Sequence, residues 1–180
     1  KNAELIKVSY NTFIGMKIVF TNTIMEICHK TGANVDEVMG GLKLANNRLI
    51  STKYLNGGMG DGGGCHPRDN IAMSWLANKL NLSHNFFEDI MEAREEQTEF
   101  LIELLTQQPG PYTILGKTFK ENTNLILGSP SMLLANMLTE QGIKFNHYDP
   151  FVDEVEPYFE KGTYIVTVPH EQFRTFGFPD

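Results

Sequence analysis

The sequence has little cysteine: only Cys28 and Cys65 occur among its 180 residues. Two cysteines do not make the disulfide framework that small secreted domains use, so we expect a reducing, cytoplasmic location. The sequence also contains no apolar run long enough to predict a membrane-spanning helix, and it does not begin with a signal-peptide pattern. A membrane partner is therefore not expected.

Positive charge is scarce as well. Lysine and arginine number 15 against 22 aspartates and glutamates, which gives a formal net charge of −7. Nucleic-acid and membrane-surface binders depend on basic patches, so this composition excludes a general binder of either kind. A single nucleotide held by a few local cations is still compatible with it. Hydrophobic residues make up 41% and charged residues 21%, which is typical of a globular protein.

Glycine is concentrated in one place. It occupies most of residues 57–64, and the run ends at Cys65, with Arg68 and Asp69 just beyond. Glycine allows positive φ and lets a ligand approach the backbone closely. A thiol on such a loop, with a carboxylate four residues later, is typical of a nucleophile beside a proton-handling group. The alternative is a flexible linker next to an inert, buried cysteine.

The residues after this loop favour the functional interpretation. Pro67, then Asp69, then an apolar pattern predict a helix over about 68–80. Cys65 would then lie just before a helix N-terminus, where the helix dipole favours a thiolate.

The first hundred residues indicate helices. A pattern without proline predicts a long helix over 3–31, ended by Gly32. Its apolar residues extend beyond one stripe, which suits a helix buried in a dimer interface. Asn34 is typical of the cap of a short helix. A second long helix is predicted over 84–107, with Ser83 as its cap.

The character of the sequence changes at 107–111, a turn rich in proline that we take as the domain boundary. Beyond it, strands alternate with a helix, which predicts a parallel, Rossmann-like sheet. The predicted elements are strands at 112–116, 145–148 and 164–168 and a helix at 130–141. The expected fold class is mixed α and α/β: an all-helical central domain with a long helix at 1–108, then a partial Rossmann-like domain at 109–180.

Three segments, in this order, resemble one family. Residues 3–11 read Ala-Glu-Leu-Ile-Lys-Val-Ser-Tyr-Asn, residues 60–69 contain the glycine run and Cys65, and residues 115–123 read Leu-Gly-Lys-Thr-Phe-Lys-Glu-Asn-Thr. Ser129-Pro130 follows the third segment. Together they resemble the central helix, the catalytic-cysteine loop and the start of the UDP-binding domain of the UDP-glucose/GDP-mannose dehydrogenases, the nucleotide-sugar 6-dehydrogenases.

The resemblance implies an NAD-dependent oxidation, most simply of UDP-glucose to UDP-glucuronate, in which two NAD⁺ take two hydrides in turn from C6. It assigns Cys65 as the nucleophile that forms a thiohemiacetal and then a thioester. Asp69 matches the carboxylate that positions or activates water. Lys7 and Asn11, four residues apart on one helical face, match the pair that stabilises the oxyanion and the developing alkoxide.

Substrate, cofactor and partner contacts follow from the same resemblance. Arg68 lies where the family often has a lysine near the cofactor. The implied partners are a nucleotide sugar of the UDP-hexose type and a second copy of the chain, paired through the long central helix; no metal is implied. The residues that match substrate contacts are Arg48, Tyr54, Leu55, Asn56, Gly57, Gly58, Gly62, Phe119 and Lys120.

The sequence also departs from the family pattern. Asp61 stands where the family often has an aromatic residue or leucine, and Leu127 replaces an arginine that meets the cofactor side. No strand followed by a G-x-G-x-x-G helix start opens the chain. We therefore expect a fragment whose NAD is bound mainly by a missing N-terminal domain, and which turns nothing over alone. His170, after Val168-Pro169, matches a family histidine or is a plain loop histidine.

Two other interpretations of the sequence exist. The chain could be a non-catalytic module that dimerises and binds a nucleotide sugar. Cys28-His29 and Cys65-His66 could form a tetrahedral zinc set. Adjacent residues on a helix point about 100° apart, so this spacing disfavours zinc.

Overall fold

A computed structural model describes residues 1–48, 51, 53–60 and 63–179. The chain forms two compact units, Lys1–Gln97 and Thr98–Asp180. The predicted boundary between residues 108 and 109 stays a prediction. The helices are α1 (Asn2–Thr31), α2 (Val35–Lys43), a 3-10 turn (Asn46–Arg48), α3 (Cys65–Lys79), α4 (Phe86–Thr106), α5 (Pro130–Glu140) and α6 (Glu171–Arg174), and the strands are β1 (Tyr112–Leu115), β2 (Phe145–Tyr148) and β3 (Thr163–Val166).

Helix α1 has the predicted span and the predicted end. Gly32 adopts a left-handed conformation (φ 74°), and its backbone N–H donates to Cys28 O. Glycine takes this conformation without the steric cost that a Cβ imposes. The side chain of Asn34 then caps α2 by accepting from the backbone N–H groups of Asp36 and Glu37. Local sequence signals were sufficient for these two helix ends.

Helix α3 begins three residues earlier than predicted, because Cys65 is its first residue and not the one before it. Pro67 does not prevent this, since N–H groups of the first turn have no helical partner to lose. The helix packs closely on α1 at Gly15. A Cβ added there would lie 3.6 Å from Asn70 Nδ2 and 3.9 Å from His66 Cβ. This close approach sets the first turns of α3 against α1.

Helix α4 also starts at a different residue. Ser83 was predicted as its cap, but the helix begins at Phe86, and Asn85 Oδ1 lies 3.4 Å from the backbone N–H of Glu88. Both residues belong to the group that favours helix caps, so the sequence did not distinguish them. Within the first unit, the Gln97 side chain fastens α4 to α1 by donating to Val19 O at 3.0 Å.

The second unit contains the predicted three-stranded parallel sheet, and its strands lie in the order β2-β1-β3. Tyr112 pairs with Phe145 on one side and with Thr163 on the other. The central position buries β1 completely at Ile114 and Leu115. Parallel strands need a crossover, and α5 supplies it between β1 and β2. All three strand carboxyl ends therefore meet at one edge of the sheet.

The predicted strands run past their observed ends at this edge. Thr167 and Val168 were predicted in the third strand, but both of their backbone N–H groups turn toward Leu115 O. Gly116 follows β1 with φ 106°, and a Cβ there would lie 2.8 Å from the backbone nitrogen of Val168. Only glycine fits where the two chain segments cross.

Candidate active site

Helices α1 and α3 bring three predicted catalytic side chains together. Asp69, in the second turn of α3, is 4% exposed. Its Oδ2 accepts hydrogen bonds from Asn11 Nδ2 at 2.7 Å and from Lys7 Nζ at 3.3 Å. Lys7 and Asn11 share one face of α1 because they are four residues apart. The structure therefore places these residues in one cluster, although α3 lies far from α1 in the sequence.

Opposing effects set the pKa of Asp69, and with it the charge of the side chain. Burial raises the pKa of this carboxyl, but hydrogen bonds from Asn11, Arg68 and Lys7 outweigh it and leave the pKa below its ordinary value. Asp69 is therefore ionised at neutral pH and is a weaker base than a free carboxylate. The Lys7 side chain is 63% exposed. An ammonium has three N–H donors, so Lys7 retains donors that a ligand could use.

The thiol of Cys65 lies beside this cluster. Cys65 is exposed, whereas the other cysteine, Cys28, is buried in α1. Arg68 donates from Nε to Asp69 Oδ1 at 3.0 Å. Its guanidinium pKa is raised by Asp69 and, to a smaller extent, by the nearby Cys65. Arg68, predicted as a cofactor contact, thus connects the thiol to the carboxylate.

The predicted substrate segment has its residues in different environments. Tyr54 adopts φ 64° and exposes its side chain, while Leu55 is 4% exposed and packs into the first unit. Asn56 Oδ1 accepts from Lys43 Nζ at 2.5 Å. Two further predictions are outside the described part: Gly62 is not described, and nothing is known of the Arg48 side chain.

The glycines of this segment are held against α1. A Cβ added to Gly57 would lie 3.1 Å from Val35 Cγ2 and 3.2 Å from Met25 Cβ. Gly58 has φ 154°, and its backbone N–H donates to the Asn22 side chain at 3.2 Å. Gly57 is therefore tightly packed against Val35 and Met25, and Gly58 has a backbone conformation that favours glycine.

A second polar cluster lies at the carboxyl edge of the sheet in the second unit. Asp149, which directly follows β2, is fully buried. Its Oδ2 accepts from the backbone N–H groups of Lys117 at 2.6 Å and Thr118 at 3.1 Å. Its Oδ1 accepts from the N–H of Phe151 at 2.8 Å. Ligands of open parallel sheets bind at this edge, so the cluster belongs to a candidate site.

His170 completes the cluster. Its Nε2 lies 3.1 Å from Asp149 Oδ2 and 3.3 Å from Thr118 Oγ1. Thr118 donates its own hydroxyl proton to Lys120 O, so the ring nitrogen is the donor in both contacts. Nδ1 is buried and has no hydrogen-bond partner among the described residues. His170 is thus fully buried and bound to Asp149, whereas its match to a family histidine stays a prediction.

The buried position of Asp149 affects its ionisation. Burial raises the pKa of this carboxyl, but the hydrogen bonds from Lys117, Phe151, His170 and Thr118 outweigh it and leave the pKa below its ordinary value. Sequence reasoning missed Asp149. The available signal was an acidic residue placed directly after a predicted parallel strand.

The predicted substrate residues of the second unit lie on the loop that Asp149 fixes. Lys120 is exposed, and its Nζ lies 5.3 Å from the ring centre of Phe119. The N–H of Phe119 donates to Leu125 O, which closes the loop. The ammonium and the ring therefore act as neighbours on one exposed surface. Phe119 and Lys120 thus lie together in the second unit. The Cys65 cluster lies in the first unit.

The described residues do not form a dinucleotide site or a metal site. Gly58, Gly60 and Gly63 have G-x-G-x-x-G spacing before α3, but no strand precedes them in the described ranges, and Asn22 occupies the Gly58 N–H. Leu127 is 87% exposed where the resemblance expects arginine. No group of three or more metal-binding side chains occurs within these ranges.

The comparisons with known proteins agree with the motifs. Residues 1–96 match the central domain of the UDP-glucose/GDP-mannose dehydrogenase family, and residues 113–179 match the UDP binding domain of that family. The chain belongs to this family. Its members include nucleotide-sugar 6-dehydrogenases, which are oxidoreductases.

Curated relatives show the same relationship. The chain is 33% identical over 155 residues to UDP-glucose 6-dehydrogenase TuaD of Bacillus subtilis. This match covers 83% of this chain and 33% of that protein. The chain is 28% identical over 170 residues to GDP-mannose 6-dehydrogenase of Azotobacter vinelandii, covering 93% of this chain and 39% of that protein. The chain spans about a third of the length of the curated relatives it matches.

A solved structure supports the fold. A UDP-glucose dehydrogenase from Pyrobaculum islandicum superposes with a TM-score of 0.81 at 23% identity, covering 99% of this chain and 46% of that chain. At this identity the likeness concerns the fold alone. Within the described part of the chain, no helix has the length and apolarity needed to cross a membrane.

Proposed function

We propose that this chain carries the thiol-dependent part of an NAD-dependent nucleotide-sugar 6-dehydrogenase, with UDP-glucose oxidised at C6 to UDP-glucuronate. The observation that carries the proposal is the cluster in which Cys65 lies beside Asp69, and Asp69 holds Lys7 and Asn11. NAD, when bound by the whole enzyme, supplies the hydride acceptor. The steps below concern this chain's own residues.

The thiol of Cys65 supplies the covalent step. An aldehyde at C6 is attacked by the thiolate sulfur, which forms a C–S bond while the C=O π bond becomes an alkoxide. The alkoxide takes up one proton, giving a thiohemiacetal. At the later thioester stage, water adds to the same carbon and the C–S bond breaks, which releases the acid and regenerates the thiol.

Lys7 and Asn11 stabilise the charge on oxygen in these steps. A cation and an amide N–H are donors suited to an oxyanion. Asp69 accepts a hydrogen bond from the Lys7 cation and another from the Asn11 amide. Its lowered pKa makes it a weak general base. We therefore assign Asp69 chiefly the role of orienting Lys7, Asn11 and the attacking water, because a carboxylate stabilised by three donors removes a proton poorly.

The predicted substrate residues offer groups that suit a nucleotide sugar. The exposed Lys120 Nζ offers a cation to a diphosphate, and Phe119 offers a ring to a base or sugar. Residues 54–58 present backbone groups on the approach to Cys65. The remaining predicted contacts, Arg48 and Gly62, stay predictions. Arg68 chiefly binds Asp69, and contact with the cofactor is its lesser role.

The proposal is tested with a nucleotide-sugar aldehyde, UDP-glucose oxidised at C6 to the aldehyde level and labelled with ¹³C there. We expect the C6 resonance to move from the hydrate to a thiohemiacetal when the chain is added. The non-nucleotide dialdehyde of glucose serves as the control and should react at least tenfold more weakly. UDP should compete with capture. Equal capture of both aldehydes, or none of either, would contradict the proposed function.

A second candidate function is a dimerisation module without chemistry of its own. Helix α1 leaves several large apolar side chains exposed, which a paired helix would cover. These are Leu5, Ile6, Tyr10, Phe13, Phe20 and Ile27.

We expect light scattering to give twice the chain mass of 20.3 kDa. Ile6→Glu should shift the chain toward the monomer, since a buried unpaired carboxylate is costly. Leu127→Glu, placed on an exposed loop of the second unit, should leave the mass unchanged. A monomer at all concentrations would exclude the dimer but leave the thiol chemistry of Cys65 standing.

A further inference from the structure

One side chain of α1 holds both sides of the glycine loop, defined here as residues 57–60. Asn22 is 6% exposed. Its Oδ1 accepts from the backbone N–H of Gly58 at 3.2 Å, and its Nδ2 lies 3.3 Å from Gly60 O as a donor. An amide has a donor and an acceptor on one rigid plane, so it satisfies an N–H and a C=O at the same time.

The glycines of this loop cannot hold its shape themselves. Gly58 and Gly60 have φ values of 154° and 132°, a region that glycine visits together with many others. Because three of its four residues have no side chain to pack, the loop depends largely on partners from outside. Asn22 supplies polar ones, and Met25, one turn later on α1, supplies the apolar contact near Gly57.

The same helix fastens the loop segment at its beginning. Lys17 is buried, and its ammonium donates to the backbone oxygen of Ser51. Toward the other end of α1, Lys7 and Asn11 bind Asp69. One helix thus positions both the segment that leads to Cys65 and the carboxylate that follows it.

We propose that Asn22 is a positioning residue for the Cys65 site: its amide fixes the glycine loop in the conformation that admits a nucleotide sugar to the thiol. The inference rests on the proposed function for the identity of the ligand. It adds a residue that lies apart from the thiol cluster and acts through the backbone of the loop. Asn22 is not a catalytic residue, because it does not reach the reacting atoms.

The first test needs no ligand. Asn22→Leu keeps the shape and removes both hydrogen bonds, and Asn22→Ala removes them without added bulk. Thr21→Val is the matched control, because Thr21 is fully buried one residue away and its hydroxyl, among the described residues, bonds only the helix backbone at Lys17 O. We expect hydrogen exchange at residues 55–60 to rise about tenfold in both Asn22 variants and not in the control. Unchanged exchange, or equal loosening in Thr21→Val, would overturn the proposal.

The second test separates positioning from general loosening. All variants carry Cys28→Ala, so Cys65 is the only thiol. The readout is the rate of capture of the nucleotide-sugar aldehyde divided by the rate of alkylation by iodoacetamide. A merely structural change would alter both rates together, whereas we expect the ratio to fall at least fivefold in the Asn22 variants. An unchanged ratio counts against the proposal.

The two tests also distinguish this inference from the proposed function. If the parent chain captures no nucleotide-sugar aldehyde, the proposed function fails, and the exchange experiment alone decides whether Asn22 holds the loop. If capture occurs and the exchange of residues 55–60 does not depend on Asn22, the proposed function stands and the role of Asn22 is excluded. Trp75 fluorescence shows whether each variant keeps the fold of the first unit.

Discussion

Replacing Cys65 by serine is expected to abolish capture of a C6 aldehyde. Serine keeps the size and a hydroxyl, but the hydroxyl is a far weaker nucleophile than a thiol unless a base activates it. The neighbouring carboxylate of Asp69 is poorly suited to that task because three donors hold its pKa down. We therefore expect the thiohemiacetal signal to fall below detection, at least a hundredfold, while UDP binding is unchanged.

The matched control is the other cysteine. Cys28 is 4% exposed and lies inside α1, so Cys28→Ala should retain full capture. Signal in Cys65→Ser that equals the parent's would show that the adduct forms elsewhere. Loss of signal in Cys28→Ala would point to a folding defect, and Trp75 fluorescence would reveal it.

The second large effect is expected from Asp149→Asn. The aspartate accepts four hydrogen bonds, of which those from Thr118 and His170 are buried and those from Lys117 and Phe151 are part-buried. An asparagine has one oxygen in place of two, so its NH₂ group must face at least one N–H donor. An unmet buried donor costs about 1–3 kcal/mol, and loss of the charged acceptor weakens the other bonds. We expect a loss of about 3 kcal/mol, which lowers the Tm of a unit of this size by about 12–24 °C.

The lowered pKa of Asp149 predicts how the effect of Asp149→Asn on stability changes with pH. Because the folded pKa of Asp149 lies below its ordinary value, the group stabilises the fold fully above about pH 4. That stabilisation is lost as the pH falls through the folded pKa. The difference in stability between the parent and Asp149→Asn should therefore shrink below about pH 4.

Hydrogen exchange of the peptide over 112–118, in increasing urea at pH 7, 4 and 3, measures the stability of the second unit. Glu171→Gln is the control, because that side chain is 79% exposed and its ion pair with Arg174 is worth about 1 kcal/mol or less. A constant difference at all three pH values would show that the charge of Asp149 contributes nothing to stability.

Local elements of this protein were predictable from local signals. The span of α1, its end at Gly32 and the cap at Asn34 follow from periodicity and from residues that suit helix ends. The second strand was predicted to the residue, at Phe145–Tyr148. The start of α4 was missed because two neighbouring cap residues compete.

The candidate site, too, was predictable from the sequence only in part. Motif spacing named Cys65, Asp69, Lys7 and Asn11, and helical periodicity put Lys7 and Asn11 on one face. It did not show that both would bind the same carboxylate oxygen, or that Arg68 would join that carboxylate to the thiol. Those contacts depend on where α3 packs against α1.

The sequence by itself determined the helix and strand order, the family and the candidate catalytic side chains, because these depend on spacing within a few turns or on motifs. Only the tertiary structure decided which distant groups satisfy one another. Asn22 reaches Gly58 and Asp149 reaches Lys117 across more than thirty residues of chain. A buried donor or acceptor must find its partner wherever packing places one, and no local pattern records that choice.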